Sequence, residues 1–104
     1  MVKPTQTSDW ASQEVDTERI CNLTGFETNF FTYQGNPAIL YPTYPNNTLR
    51  IAVATTPTPA QPNDWTKSDV DTTSGCFPYG AVDTGSSTVA LYANNDHLCI
   101  AELQ

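Results

Sequence analysis

Several groups of side chains in this 104-residue chain have the types and spacing that chemistry could use. Asp83-Thr84-Gly85, followed by Ser86 and Ser87, is a triplet in which an aspartate on a glycine turn, paired with a second such aspartate, activates water. The chain holds no second Asp-Thr/Ser-Gly, and the segment after Gly85 is too short for a flap and a later glycine-bearing turn. The triplet is therefore expected to be a turn. Asp69-Val70-Asp71-Thr72-Thr73 has the spacing of a nucleophilic aspartate pair for phosphoryl transfer, but that motif needs a buried apolar strand before it, and Thr66-Lys67-Ser68 stands there. Asp64, Asp69 and Asp71 could gather oxygens around Ca²⁺, yet the glycine and the closing acid of a calcium loop are missing. These carboxylates are read as solvated, with no metal and no cofactor.

His97 with Tyr92 and Cys99 invites a thiol nucleophile activated by histidine. On one strand, however, His97 and Cys99 are same-face neighbours roughly 7 Å apart, and no third residue is evident to orient the ring. Cys99 is better explained as a disulfide or a buried thiol. Cys21, Cys76 and Cys99 allow one bond and a leftover, in three possible pairings. One histidine with three scattered thiols makes no zinc site.

The remaining constellation is aromatic and amide-rich: Tyr41, Tyr44, Asn46 and Asn47 in one loop, Asn63, Asp64 and Trp65 in the next, then Tyr79. Sugar rings stack their C–H faces on aromatic rings while Asn and Asp take the hydroxyls, so these eight residues are the candidate ligand-binding set. Asn22-Leu-Thr24 and Asn46-Asn-Thr48 also fit the glycosylation pattern.

Charged residues make up 14% of the chain, well below the roughly 25% of an average soluble protein, so hydroxyls and amides must carry solubility. That habit points to secretion, with the numbering starting at a mature end. A net charge of −7 from eleven acids and four bases argues against nucleic acid and anionic membrane as partners. No apolar run is long enough to span a bilayer.

The elements that must position these residues centre on Ser87–Leu103, read as a hairpin. With Asn94 and Asn95 in the turn, or Ala93–Asp96 in a wider one, Tyr92 faces His97, Leu91 faces Leu98 and Val89 faces Ile100. Val89, Leu91, Leu98 and Ile100 then share one face, and Thr88, Ala90, Tyr92, His97 and Cys99 the other. Ser8 can cap a helix over 9–22, whose thin stripe of Trp10, Ala11, Val15, Thr17 and Cys21 needs a surface to lie on. The Cys99 face suits it, and hence a Cys21–Cys99 disulfide. Further strands are expected at 26–33, 38–41 and 48–55, beside the hairpin strands 87–93 and 97–103. Residues 1–7 are expected to fray and 56–85 to form a long irregular region.

The expectation is a single α+β domain, residues 1–104, with a small antiparallel sheet of four or five strands and one packed helix. An all-β sandwich or barrel is the alternative. The expected function is that of a secreted, non-enzymatic, lectin-like glycan-binding protein. The alternative is a secreted protease inhibitor or effector that engages a protein target through the Pro-rich 56–65 loop, which is stiff before it binds.

Overall fold

The computed structural model describes residues 5–16 and 28–103. Over these residues seven strands form two antiparallel sheets, with short 3-10 turns at Thr7–Asp9 and Pro62–Asp64. The first sheet holds β1 (Asn29–Tyr33), β2 (Asn36–Pro42), β3 (Leu49–Ala54) and β4 (Trp65–Asp71) in that spatial order. The second holds β5 (Cys76–Asp83), β6 (Thr88–Asn94) and β7 (His97–Leu103). Each sheet is a meander, and residues 72–75 carry the chain from one to the other. β5 lies against β1 and β2, which stacks the sheets face to face.

The α+β expectation is thus corrected to an all-β, two-sheet architecture. The 9–22 helix is not formed: after the Thr7–Asp9 turn, residues 10–16 adopt no regular structure, and residues 17–22 lie outside the described residues. The physical reason is that a helix with so thin an apolar stripe needs tertiary packing to hold it, and this segment is instead tied to the first sheet through polar contacts. Gln13 donates to the Pro59 carbonyl (2.9 Å) and accepts from the Trp65 indole (3.2 Å). Lys67 donates to the Val15 carbonyl (3.3 Å), and Asp16 accepts from both Tyr41 (2.6 Å) and Arg50 (3.0 Å).

The region 56–85, expected to be irregular, contains both β4 and β5. β4 is an edge strand, polar on both sides, with only Trp65 buried, so it lacks the apolar alternation that marks a strand. β5 carries Pro78 and Gly80, which ordinarily argue against a strand. It too is an edge strand, and its register shifts between these residues, so a bulge accommodates both.

The hairpin is present, but its turn is Asn95-Asp96, at φ 49° and 68°. Asn94 therefore pairs with His97, Tyr92 with Cys99 and Leu91 with Ile100, two residues along from the expected register. An even shift leaves every side chain on its expected face. The Thr88, Ala90, Tyr92 face, expected to lie outside under a helix, turns inward, and the first sheet covers it.

The core between the sheets joins Leu40, Leu49 and Ile51 to Cys76, Ala90 and Tyr92, with Phe31, Val53, Val70, Ala81, Cys99 and Ala101 beside them. Ala81, Ala90 and Ala101 pair in one row across β5, β6 and β7. This row of methyl groups lets the larger leucines and isoleucine of the first sheet seat against the second. A second cluster, Tyr41, Ala52, Ala54 and Trp65 with Val15 and Ile39, lies on the other side of the first sheet, under residues 13–16.

Candidate functional site

The eight residues proposed for sugar binding do not form one site. Tyr44, Asn46 and Asn47 sit in the β2–β3 turn, whereas Asn63 and Asp64 sit in the β3–β4 connection at the opposite end of β3. Tyr79 belongs to the second sheet and is exposed. Tyr41 and Trp65 are buried, at 3% and 9% exposure. The Trp65 indole is committed to Gln13, and the Tyr41 hydroxyl to Asp16. Burial, then the hydrogen bond to Asp16, pushes the Tyr41 phenol well above its usual range. Asn46 and Asn47 act through their carbonyls, which accept from Gly75 (3.0 Å) and Cys76 (2.7 Å).

The Pro-rich 56–65 loop is closed on itself. The Asp64 carboxylate accepts from the amides of Ala60 (2.9 Å) and Gln61 (3.2 Å), and its carbonyl accepts from Thr55 (2.8 Å). Asp83-Thr84-Gly85 is a turn, as expected, with the Asp83 carboxylate taking the Gly85 amide (2.8 Å). Cys76 and Cys99 are free thiols. Cys21 lies outside the described residues, so the expected Cys21–Cys99 bond has Cys99 unbonded and its other end undescribed.

Sequence reasoning missed a polar junction where the two sheets meet. Asp71, ending β4, accepts the Tyr92 hydroxyl from β6 (2.7 Å), the Asn94 amide (3.4 Å), and both the amide and hydroxyl of Thr73. Asn94 also donates to Cys76 Sγ (3.3 Å), and that thiol donates to the Thr73 carbonyl (3.3 Å). The bonds from Thr73, then that from Tyr92, hold the Asp71 carboxyl below its ordinary range. Burial pushes the Tyr92 phenol up, and burial and the Asp71 charge push the Cys76 thiol up. Cys76 therefore stays a protonated thiol at neutral pH, the opposite of what a nucleophile needs. The junction ties one sheet to the other and offers no activated group.

The surface with the strongest claim to a role is the outward face of the second sheet. Its rows, read across β5, β6 and β7, are Phe77–Ala93–Leu98, Gly80–Leu91–Ile100 and Val82–Val89–Glu102. Leu98 is 73% exposed and Ile100 69%; Phe77, Tyr79, Val82 and Leu91 are exposed as well. A solvent-facing strand side is ordinarily polar, so a nine-position face with one charged residue departs from the rule. The sequence did carry the signal: Val89, Leu91, Leu98 and Ile100 were grouped correctly, and what it lacked was that the face with the smaller side chains would be the buried one.

The comparisons with known protein families, with curated proteins and with solved structures returned no match for this chain.

Proposed function

We propose that this chain is a non-enzymatic protein-binding module, extracellular in setting, that engages its partner through the outward face of the β5–β6–β7 sheet. The observation that carries the reading is the run of exposed aliphatic and aromatic side chains on that face: Phe77, Val82, Leu91, Leu98 and Ile100. Exposed apolar side chains gathered on one sheet face in this way mark interaction surfaces. The chemistry of the face also selects the kind of partner. With Glu102 on it, Asp96 at its end and a net charge of −7 behind it, it favours a protein surface with an apolar centre and a cationic rim. Of the expected sugar-binding aromatics, Tyr44 and Tyr79 are the exposed ones, one in the β2–β3 turn of the first sheet and the other on β5 of the second. The charge-poor, Thr- and Asn-rich composition supports the extracellular setting.

The test is to pan a random peptide library against the full chain and against its Leu98→Glu variant. Because Leu98 is exposed, the variant should keep the wild-type melting temperature, and peptides selected on the wild type should lose at least about tenfold in affinity for it. Selected peptides that bind both forms equally contradict the proposal. So does binding on a glycan array that Leu98→Glu retains.

A further inference from the structure

Building on that reading, we infer that a groove at one end of the exposed sheet face is the seat for a lysine or arginine side chain of the bound protein. The groove has a volume of about 410 Å³ and is lined by Phe77, Tyr79, Ala93, Asp96, His97 and Leu98. Its shape follows from one row of the sheet. Ala93 lies on the middle strand between Phe77 on β5 and Leu98 on β7, so a methyl group forms the floor and two large side chains form the walls. Asp96, in the turn just beyond, also lines the groove, and its carboxylate has no hydrogen-bond partner among the described residues.

A long cationic side chain matches each part of this arrangement. Its methylene stem lies on Ala93 and Leu98, its charged head reaches Asp96, and the Phe77 and Tyr79 rings stand beside the cation. An aliphatic side chain would leave the carboxylate unused, and an acidic one would be repelled by it. The chain's own described cations are engaged elsewhere: Arg50 lies between Asp16 and Asp69, and Lys67 donates to Val15, both on the first sheet. A second copy of this chain fits the groove poorly as an occupant, because eleven acids against four bases make like-charge contact the rule between copies.

The experiment uses the peptides selected on the full chain, resynthesised with citrulline in place of arginine or norleucine in place of lysine. It measures their affinity by calorimetry for the wild type and for Asp96→Asn. Asparagine tolerates the positive φ of position 96, so this variant keeps the turn while removing the charge. The expected result has three parts: the Leu98-dependent peptides are enriched in arginine or lysine, Asp96→Asn weakens them about two- to fivefold, and the neutral analogues lose a similar factor on the wild type but none on the variant. Peptides that need Leu98 but show neither the enrichment nor the Asp96 effect overturn the groove assignment and leave the protein-binding proposal standing. Absence of any Leu98-dependent peptide overturns both. A concentration-dependent dimer in sedimentation that Leu98→Glu abolishes replaces the basic segment with a second copy as the occupant.

Discussion

Asp71 shows how one carboxylate can join two layers of a small protein. It belongs to the first sheet and accepts hydrogen bonds from Tyr92 and Asn94 of the second, with Thr73 of the crossing segment closing the set. These bonds favour the ionised form, so its pKa in the folded chain lies below the ordinary 3.8. The stabilisation is complete above that ordinary value and is lost as pH falls through the folded one. Asp71→Asn should therefore melt below the wild type at pH 7, and the gap should narrow on acidification below about pH 4. A gap that stays constant down to about pH 2.5 contradicts this role for the carboxylate. From the sequence Asp71 looked like a solvated loop acid, because the polar strand that ends on it was not visible and nothing local reveals that Tyr92 stands over it. Trp65 was undecided for a related reason: its flanking Asn and Asp suit a sugar platform, whereas its burial depends on residues 13–16, distant in sequence.

At the scale of elements, turn residues and apolar alternation were legible where the chain carries them. Gly35, Asn95 and Asp96 take positive φ, and Gly, Asn and Asp are the residues that tolerate it, so turn chemistry marked both hairpins although the second turn falls one residue later than expected; Gln34, also at positive φ, carries no such signal. The expected strands 38–41, 48–55, 87–93 and 97–103 correspond to β2, β3, β6 and β7 to within two residues at each end. β4 and β5 were not legible, because an edge strand need not alternate and need not exclude proline when its neighbour supplies the order. The crossing between the sheets carries its own constraint at Gly75. Its φ is +85°, and a Cβ there would meet Asn95 Oδ1 at 2.5 Å, the side chain that donates from Nδ2 to the Ser74 carbonyl (3.2 Å). Gly35, at φ +83°, has nothing within 4 Å of the same position. Gly35→Ala should cost the left-handed penalty alone, about 1–2 kcal/mol. Gly75→Ala should cost more, because it also displaces Asn95. Chemical denaturation of the two variants measures the difference, and equal losses would show that the 75–95 contact contributes nothing.

For the whole molecule, the distribution of apolar groups is inverted from what their sizes suggest. The inward side of the second sheet carries Ala81, Ala90, Ala101 and Tyr92, while its outward side carries Leu91, Leu98 and Ile100. Hydrophobicity alone orders these faces the other way. The inward choice follows from packing, since a row of alanines admits the large side chains of the first sheet, and from the Tyr92 hydroxyl, which finds Asp71 only across the interface. The outward face is then left exposed, and the protein-binding proposal rests on that arrangement. Ile100→Thr and Ala90→Thr, melted side by side, test it most directly. At 69% exposure, Ile100→Thr should shift the melting temperature by no more than about 2 °C, since threonine keeps the β-branch and a surface change costs little. At 0% exposure, Ala90→Thr must fit a hydroxyl and an extra methyl into a closed interface and should lower it by roughly 5 °C or more. The reverse order, with Ile100→Thr the more damaging change, would place the aliphatic face inside and contradict the account.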